Sequence, residues 1–562
     1  MKHQLCYIPR RPTRGMTRTG PVSSTLPLDS LVTEVHRLLG PTWTLPPYNE
    51  LLPSYFKRPS SRLQQEDLDF LVRKGALDIP SPFVTEEIFK AYIRHVHPHI
   101  PCLDLARFSS IIFGHSSHPQ DHGEGKISLL LFHAVMFAGA FFVDLKYLYS
   151  AGFLSRRHAL DTLFQRVRVL YDLDAEDDRM VVIQSLLLMS YWYDNPDKHK
   201  DGRHWIGICV SLAFKAKLHL DDSNHPDWKF RKLLWWSIFT RDRLMSLGLQ
   251  QPPTINDEFR SSIPVPEIGD CDRIGSKDMT ENPSSYYGAH HEKIARIFIE
   301  KAKLCLCIKD DLFSPNYRSI CSRTVAKQSR ISNLWISKVE LESWLREVPD
   351  SIIFHPTPFL SDEASMVVHL HCAWLKMVYL ELFSTLHRQL DFLSEQYNPQ
   401  KQLSRNAMDC PVLLSAIEFT DIMQDLYEKQ LISYLPTTSV PMILRVGIIH
   451  IFEAFDTDDK YLNGPSLRRL LHCILALQQL GGKYGGAVFV ASLLGAKDHT
   501  SVVTSTPDDI LKQIDIETLD HLTLRYPDYS APTVITIREP YDVDIISGLK
   551  SRLEPLKLAA TT

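Results

Sequence analysis

Residues 141–192 read FFVDLKYLYSAGFLSRRHALDTLFQRVRVLYDLDAEDDRMVVIQSLLLMSYW, and they carry the clearest pattern of secondary structure in the chain. Within it, Leu160, Leu163, Val167 and Leu170 recur at intervals of three and four residues, which is the spacing of one face of an α-helix. A run of acids then precedes a nearly all-apolar segment, and acids are favoured at the positive end of a helix dipole. The stretch therefore predicts two consecutive helices, of which the second is buried.

The same periodicity extends to both sides of this stretch. It predicts a helix over 85–96 on the N-terminal side and two further helices over 205–218 and 230–247 on the C-terminal side. Helical periodicity resumes at His291 and continues to about residue 495. Alternation of apolar and polar residues over the length of a strand does not recur often enough for a sheet. The best lone strand candidate is 534–537. The sequence therefore predicts an all-α fold.

Composition and charge divide the chain into five segments. The first is dominated by Pro and Arg, and the last contains acids interleaved with apolar residues at 508–520. That acidic run is either a solvated terminal helix or a helix that docks its apolar face in the groove of a partner. We predict a basic, mostly disordered and irregular arm over 1–62, the core half of a multi-helix domain over 63–260, a polar loop over 261–290, a helical continuation of the same domain over 291–496 and an acidic-amphipathic tail over 497–562.

The overall composition is that of an ordinary globular protein, which excludes global disorder, a collagen-like repeat and a disulfide miniprotein. The 562 residues include 62 Lys and Arg against 66 Asp and Glu, and the net charge of −4 excludes a chain that is basic throughout. A local basic arm remains compatible with this total. Such an arm would contact phosphates nonspecifically or serve nuclear import, the alternative being dispersed arginines in a Pro-rich tail; the candidates are Arg10, Arg11, Arg14 and Arg18.

The ten cysteines are scattered along the chain, which indicates buried free thiols in a reducing compartment. A structural zinc site needs four converging thiolate or imidazole ligands, usually in paired C-x₂₋₄-C spacings. The sequence has no such pairs. We therefore expect neither a metal site nor another cofactor within this chain.

The longest apolar run, 127–143, predicts a buried core helix rather than a membrane span. Its 17 residues would form a helix of about 25 Å, short of the hydrocarbon core of about 30 Å. We find no other candidate span in the sequence. The N-terminus carries no apolar segment of a secretory signal. We therefore expect an intracellular protein without a membrane-spanning segment.

Several patterns could mark an enzyme, and each departs from the motif that it resembles. Asp177 and Asp178 lack the third acid of an aspartate-rich Mg²⁺ box, so a terpene-synthase interpretation fails. Residues 481–486 are glycine-rich, but Tyr484 stands where a phosphate loop has a Ser or Thr hydroxyl, which favours a loop between two helices. The sequence has no G-x-S-x-G, H-E-x-x-H or CxxC motif. We predict no catalytic residues and no enzymatic activity.

Histidines cluster in two places, where metal binding has to be weighed against packing. His95, His97 and His99 alternate across a helix end and a proline, and no carboxylate or cysteine converges on them in sequence. His369 and His371 are two residues apart on a predicted helix, so their side chains face apart. We expect these histidines to cap or pack rather than to bind metal.

Four linked segments carry a resemblance to a known family. In order, spacing and tryptophan content they resemble the fungal-specific transcription factor domain, which is the middle helical region of fungal two-zinc, six-cysteine regulators. Within that family they are most similar to the cutinase transcription factor and acetamidase regulator branch. The resemblance covers about 85–260 closely and continues weakly through 369–383 and 410–426. The four segments are Tyr92-x-x-His95-x-His97-Pro98-x-Ile100-Pro101, the stretch 141–192, KDGRHWIGICVSLAFKAKLHLD (200–221) and LWWSIFTRDRLMSLGLQQPPTIND (234–257).

The resemblance implies a helical regulatory domain of a nuclear transcription regulator. Regulation, response to a small-molecule inducer, self-association and contact with other regulators are the functions it implies for this region. No ligand site of the family is defined well enough to be transferred residue by residue. We expect the tryptophans of the family motif to pin helices together and its charged triplet to form a salt-bridge cluster that holds the helices near 178 and 205, with a ligand contact as the alternative; these motif residues are Trp205, Trp235, Trp236, Arg241, Asp242 and Arg243.

This chain departs from the family in two places. The family's DNA reader is an upstream six-cysteine cluster that holds two zinc ions and places a helix in the major groove. Before Cys102 this chain has only Cys6, so these residues cannot form the cluster, and zinc is expected only if a cluster exists upstream. The family also usually has Gly-Arg-Pro where this chain has Gln250-Gln251-Pro252, which concerns the contacts of that loop rather than the fold.

Three classes of function remain open after these observations. The leading hypothesis is a transcription regulator of a metabolic gene set, either a secondary-metabolite cluster or a catabolic pathway. Its DNA binding would be supplied by a partner or by a zinc cluster missing from this chain, and alone it should bind DNA weakly. The alternatives are a non-DNA-binding scaffold or interaction module and a helical enzyme.

Overall fold

The computed structural model describes residues 52–113, 126–192, 200–259, 262–273, 290–313, 324–357, 360, 362–395, 410–455 and 464–494. These residues belong to one compact unit that begins at Leu52. The described residues form helices and no named strand, with an isolated bridge between Phe56 and Ile127. The prediction of an all-α fold is confirmed.

The helices are numbered here in chain order. In the described residues up to the polar connection near 250 they are α1 Gln65–Arg73, α2 Pro82–His95, α3 Leu105–Ile112, α4 Leu129–Ala140, α5 Leu145–Ser150, α6 Arg156–Asp172, α7 Arg179–Met189, α8 Gly202–Lys215 and α9 Trp228–Leu249. After it they are α10 His291–Leu306, α11 Thr324–Glu347, α12 Glu363–Glu395, α13 Pro411–Glu428, α14 Ser439–Phe455, α15 Gly464–Gly481 and α16 Gly485–Leu493. Short 3₁₀ helices lie at Asp257–Phe259, Ile268–Arg273, Asp310–Phe313, Asp350–Ile352 and Ile432–Tyr434.

Helix α4 forms the buried centre of the first half. All of its residues are buried, and it packs against α2, α6 and α7. Gly139 permits the close approach of α2, because a Cβ at this position would lie 2.4 Å from the backbone oxygen of Ile88. The core helix predicted from the apolar run 127–143 is therefore confirmed.

The start of α7 is fixed by two acids. The Asp178 carboxylate accepts a hydrogen bond from the Met180 backbone N–H at 2.9 Å and so caps the helix. The Asp177 carboxylate accepts a hydrogen bond from the Ser60 hydroxyl at 2.9 Å and lies 3.5 Å from Arg62 Nε. The acid pair that could suggest a Mg²⁺ box thus caps one helix and holds the segment before α1.

The folded body begins before the boundary predicted at residue 63. Phe56 is buried, and its ring centroid lies 5.2 Å from that of Phe132 on α4. The backbone N–H of Lys57 donates to the Ile127 carbonyl at 2.8 Å. One aromatic side chain therefore anchors the end of the Pro-rich arm on α4, a contact that composition does not reveal.

Part of the polar loop predicted over 261–290 packs against α9. Ile263 and Cys271 are buried, and the Lys232 ammonium lies 2.7 Å from Asp270 Oδ2. The indole N–H of Trp236 donates to the Pro264 carbonyl at 3.0 Å. These contacts make the first residues of the loop part of the core, although their composition is polar.

Helix α9 crosses the centre of the unit and contacts α8, α10 and α14. All of its residues from Lys232 to Gly248 are buried. Its last carbonyls are capped by Arg445 on α14, which donates to Gly248 O at 2.9 Å and also lies 2.5 Å from the Glu381 carboxylate of α12. The helix therefore links the two halves of the domain.

Helix α12 is long and apolar enough to cross a membrane by length and composition alone. The candidate span is Glu363–Asp391, with a mean hydropathy of 1.3 and 78% of its best window buried inside the protein. A buried core helix passes the same length and hydropathy test. The sequence predicts a helix in this region but only 127–143 as a candidate span, because histidines and charged residues interrupt the apolar run of α12.

Several predicted features lie outside the described residues. They are the arm residues Arg10, Arg11, Arg14 and Arg18, together with Cys6, the acidic run 508–520 and the strand candidate 534–537.

Candidate functional site

Three consecutive charged residues, Arg241, Asp242 and Arg243, are buried in the middle of α9. Successive residues of an α-helix point about 100° apart, so the three side chains reach three different neighbours. Burying charges in an otherwise apolar helix is costly unless each charge is matched. The partners of each charge therefore indicate its role.

Arg243 is the centre of a charge-matched network. Its Nη1 lies 2.9 Å from Asp257 Oδ1 and 3.2 Å from Asp310 Oδ1. The same guanidinium donates to the Ile308 and Ile255 carbonyls at 2.8 and 2.7 Å. Burial, with the nearby Asp257 charge, raises the pKa of the Asp310 carboxyl, which Arg243 opposes. The network ties α9 to the two loops that follow α9 and α10.

Asp242 holds the chain that leaves α9. Its two carboxylate oxygens accept from the backbone N–H groups of Thr254 and Ile255 at 3.0 and 2.9 Å. A carboxylate that accepts two backbone N–H bonds is matched by hydrogen bonds rather than by a cation. We expected Asp242 and Arg243 to join a salt-bridge cluster that holds the helices near 178 and 205. Their side chains instead project toward the loops around 255 and 310.

Arg241 alone of the triplet contacts the helix that begins near 178. Its Nε and Nη2 donate to the Ser190 hydroxyl and carbonyl at 3.0 and 2.8 Å, and Nη2 lies 3.4 Å from Thr437 Oγ1. The guanidinium carbon lies 4.7 Å from the centroid of the Tyr191 ring. Among the described residues, its Nη1 has no hydrogen-bond partner and its guanidinium has no carboxylate partner. Burial lowers the pKa of Arg241.

A small central cavity, partly open to solvent, lies beside Arg241, and its volume of about 20 Å³ has room for about one water molecule. It forms between the segments that follow α2 and α7, the middle of α9, the helices α10 and α12, and the segment before α14. Its lining combines cationic and hydroxyl groups with apolar side chains and contains neither Asp nor Glu among the described residues. The lining residues are His99, Ile100, Tyr191, Thr240, Arg241, Leu244, Lys301, Trp374, Pro436 and Thr438.

Lys301 is the second cation of this cavity. It is buried on α10, its Nζ donates to the His99 carbonyl, and it lies 4.6 Å from the centroid of the Phe298 ring. Burial, together with the positive charge of Arg241, lowers the pKa of Lys301 to about 7. Two buried cations thus face one cavity without a carboxylate among the described residues.

The histidines of both sequence clusters pack in the core, as predicted. His95 stacks on Tyr434 with ring centroids 4.4 Å apart, and His99 meets His371 edge-on at 4.4 Å. Burial lowers the pKa of His97 to about 3 and that of His371 to about 4. His369 instead contacts the Asp425 carboxylate through Nε2 at 2.6 Å.

In the ranges that the structure describes, no three His, Cys, Asp or Glu side chains come together as a candidate metal site. The cysteines within those ranges are free, and all but Cys410 are buried, so the prediction of buried free thiols is confirmed for this part of the chain. Burial raises the pKa of Cys102 to about 12, which keeps this thiol protonated. The zinc cluster of the resembled family does not fit the cysteines of these ranges.

The tryptophans of the family motif are buried where helices cross. Trp205 on α8 lies edge-on to Phe164 of α6 at 5.8 Å, and Phe164 stacks on Trp192 at 4.2 Å. Trp235 meets Phe214 of α8 at 5.7 Å. With Trp236, which bonds to Pro264, they join α6, α8, α9 and the following loop.

The glycine-rich segment 481–486 joins α15 to α16. The Tyr484 hydroxyl donates to the Leu435 carbonyl at 3.0 Å, and the Lys483 ammonium donates to the Ser433 carbonyl. Lys483 also lies 4.9 Å from the ring centroids of Phe142 and Tyr434. The prediction of a loop between two helices is confirmed, and its lysine points inward to the core.

Sequence reasoning named Arg241 and His99 but missed Tyr191, Lys301 and Trp374 as neighbours in one cavity. A signal for Lys301 was present in the sequence. It follows Ile297 by four residues and precedes Leu304 by three, so it falls on the apolar face of α10. A lysine at such a position is expected to be buried, and a buried lysine calls for a partner.

The model of the fungal specific transcription factor domain matches residues 89–409 of this chain. This range includes Arg241, Lys301 and most of the cavity lining. The chain belongs to this family, as its four linked segments predict.

The curated relatives are also transcription factors. Cutinase transcription factor 1 beta of Fusarium vanettenii is 30% identical over 517 residues, which cover 87% of this chain and 57% of the relative. Transcription factor cpaR of Aspergillus oryzae is 28% identical over 72% of this chain and 69% of the relative. The Acetamidase regulatory protein of Aspergillus oryzae (strain ATCC 42149 / RIB 40) is 24% identical over 58% of this chain and 37% of the relative.

This chain spans about half the length of several relatives, for example 57% of the cutinase factor and 50% of a transcription factor of Fusarium pseudograminearum (strain CS3096). No solved structure matches the chain.

Proposed function

We propose that this chain is the regulatory body of a transcription regulator that controls a metabolic gene set in the nucleus. DNA recognition is supplied by a partner protein or by a zinc cluster encoded upstream of these residues. The observation that carries the proposal is the family match over 89–409, which coincides with one helical body joined through α9. The printed names of the relatives, among them a cutinase factor and an acetamidase regulatory protein, support control of metabolic genes.

The internal design of the body supports a regulatory role rather than catalysis. Its buried polar groups, including Asp242 and Arg243, hold loops against α9. The remaining unmatched charge lies at a small cavity that contacts both halves of the domain. A ligand there would contact several helices at once and could change their relative stability, which is the physical requirement for regulation by binding.

The arm residues Arg10, Arg11, Arg14 and Arg18 are proposed to contact phosphates or to serve nuclear import. Four closely spaced arginines give weak DNA binding that falls steeply with salt, because each neutralised phosphate releases counterions. An electrophoretic gel-shift titration of the full chain between low and physiological salt measures this. Replacement of the four arginines by alanine should flatten the salt dependence, whereas replacement by lysine, which keeps the charge, should preserve it.

Sequence-specific binding of the purified chain at nanomolar concentration and physiological salt would contradict the need for a separate DNA reader. The genomic sequence upstream of Met1 separates the two versions of the proposal. An in-frame six-cysteine motif there supports the zinc-cluster version, and its absence supports a partner. Deletion of the gene should change transcript levels of a coherent metabolic gene set, and an unchanged transcriptome under all growth conditions would overturn the proposal.

An interaction module without a role at promoters is the second candidate function. Helix α11 favours it, because Trp335, Ile336 and Val339 on this helix are each more than half exposed, at 51, 51 and 57%. Large exposed apolar side chains on one helix are typical of contact surfaces. A tagged protein that stays cytoplasmic, together with an unchanged transcriptome on deletion, would favour this function over the first.

A further inference from the structure

The small cavity beside Arg241 carries positive charge without an opposite charge to match it. Two cationic side chains line it, and both are more than nine-tenths buried, at 6% exposure for Arg241 and 3% for Lys301. Burying a cation is unfavourable unless an anion is near. Among the residues that the structure describes, no carboxylate lines this cavity, so its positive charge is in excess.

Both cations keep hydrogen-bond donors in reserve. Arg241 uses Nε and Nη2 on Ser190 and Thr437, which leaves the two N–H groups of Nη1 without a partner among the described residues. The Lys301 ammonium has three N–H donors, and the structure shows one hydrogen bond, to the His99 carbonyl. Neither group can accept a hydrogen bond, so a guest beside them has to supply lone pairs.

Two hydroxyl groups add to these donors. Tyr191 and Thr438 line the cavity and are buried, and neither hydroxyl has a hydrogen-bond partner in the described part of the chain. A third hydroxyl of the lining, on Thr240, is already engaged, since it donates to the Ser237 carbonyl at 3.3 Å. The polar part of the lining therefore offers guanidinium, ammonium and hydroxyl donors to one small guest.

The size of the cavity restricts that guest to a single atom or a water molecule. Its volume of about 20 Å³ has room for about one water molecule. Chloride is only slightly larger than water, whereas carboxylates and phosphate consist of several heavy atoms. A water molecule would leave both cations without an opposite charge, but a halide ion supplies that charge and accepts hydrogen bonds from several donors at once.

We propose that this cavity binds one chloride ion, held by Arg241 Nη1 and the Lys301 ammonium and completed by the hydroxyls of Tyr191 and Thr438. The side chains of Leu244 and three other apolar residues of the lining exclude further water from the ion; these are Ile100, Trp374 and Pro436. The opening of the cavity to solvent gives the ion a path of entry.

The ion would join parts of the domain that are distant in sequence. Arg241 belongs to α9 and Lys301 to α10, whereas Tyr191 follows α7 and Thr438 precedes α14. Binding replaces the mutual repulsion of the two cations by attraction to a shared anion. We therefore expect chloride to stabilise the folded chain, by the linkage between binding and folding. This binding does not rest on the proposed function.

The test uses the purified full chain in potassium gluconate, an anion too large for the cavity, and chlorine-35 NMR at constant ionic strength. A bound chloride ion that exchanges with the solution broadens the chloride resonance. We expect the chain to broaden this resonance, and we expect bromide, but not inorganic phosphate, to remove the broadening with saturation. Thermal unfolding in the same solutions should give a higher melting temperature in chloride than in gluconate.

Two variants locate the site. Lys301→Met keeps the length of the side chain without its charge and should weaken chloride binding by about tenfold or more. The matched control is Lys303→Met on the same helix, whose ammonium lies 2.7 Å from Glu300 and whose side chain is 43% exposed, and it should bind like the unmodified chain. If Lys301→Met does not fold, Tyr191→Phe removes only a hydroxyl and should weaken binding by about threefold or more.

Three outcomes would overturn the proposal. Broadening no greater than that of a protein-free solution means that the cavity holds water only. Displacement by phosphate as effective as by bromide contradicts a site of this size. Unchanged binding by the folded Lys301→Met variant, or by Tyr191→Phe in its place, puts the ion elsewhere. Failure of the proposed function is distinct, because chloride would then bind as described while deletion of the gene leaves the transcriptome unchanged.

Discussion

Helix α9 contributes to two buried polar regions that differ in how their charges are matched. In the Arg243 network, one guanidinium faces the two carboxylates of Asp257 and Asp310, and backbone carbonyls take up further donors. In the central cavity, Arg241 and Lys301 line the same space, and no carboxylate among the described residues lines it with them. Neighbouring charges on one helix can therefore have separate roles, since the Arg243 network has its carboxylates within the chain and the cavity has none among the described residues.

The largest effect is expected from a substitution that disrupts the Arg243 network. Arg243→Leu leaves Asp257 and Asp310 close together without their cation, so we expect the free energy of unfolding to fall by about 3–5 kcal/mol. Thermal and urea denaturation monitored by circular dichroism measure the loss.

The control for this change is Arg296→Leu, which removes an exposed pair with Glu292 four residues before it on α10. Such pairs contribute about 0.3–0.5 kcal/mol, so the control should be nearly neutral. Equal losses in both variants would show that the Arg243 network contributes no more than a surface pair.

The second prediction concerns buried histidines, whose imidazoles stay neutral and so avoid a buried charge without a partner. Burial lowers the pKa of His133 to about 3, and its Nε2 lies 2.9 Å from the Ala76 carbonyl. Because the unfolded chain binds a proton near pH 6.5 and the folded chain does not, stability is lost as pH falls below about 6.5. The loss is about 1.4 kcal/mol per pH unit for each such residue.

His133→Gln keeps a hydrogen-bond donor in this position and cannot become charged. We expect the variant to lose about 2–3 kcal/mol less than the unmodified chain between pH 6.5 and 4.5. Melting temperatures across this pH range provide the measurement, with exposed His355 replaced by Gln as the control. Parallel pH profiles for His133→Gln and the unmodified chain would contradict the assignment of a neutral buried imidazole.

The third prediction concerns the central cavity, whose cations have no carboxylate partner among the described residues. Replacing a buried charge by an apolar side chain of similar length is often stabilising, so Lys301→Met should raise the free energy of unfolding by about 1–2 kcal/mol in the absence of ligand. Urea denaturation in chloride-free gluconate buffer at pH 6.5, where Lys301 is largely protonated, measures this. A loss of stability comparable to that of Arg243→Leu would mean that Lys301 is matched within the chain and that the two regions do not differ.

The sequence predicted much of the framework in which these regions lie. Periodicity located the helices at 85–96, 205–218 and 230–247 within a few residues of α2, α8 and α9. The acids before α7 and the apolar run of α4 identified a helix start and a buried helix. These features depend on neighbours in the chain, so local pattern is sufficient to find them.

The site was less predictable, because it depends on partners that are distant in sequence. Arg243 meets Asp310, which is 67 residues further along the chain, and the Lys301 ammonium meets the carbonyl of His99, 202 residues before it. Composition marked 261–290 as a polar loop, yet Ile263 and Cys271 are buried against the core. Pairings of this kind follow from how helices cross, which periodicity does not specify.

The smallest expected effect concerns the end of α9, the helix that both regions share. Gln250 ends this helix in the left-handed conformation, with φ of 52°. A residue with a Cβ is disfavoured there by about 1 kcal/mol, whereas glycine is not. The Gln250 side chain offsets part of this unfavourable free energy by donating to the Leu247 carbonyl at 2.9 Å.

Gln250→Gly should therefore stabilise the chain by about 0.5 kcal/mol. Gln251→Gly, one residue later and without a positive φ, should destabilise it slightly. Urea denaturation of the two variants side by side measures the difference. A loss of stability on Gln250→Gly would contradict an unfavourable left-handed conformation at this residue.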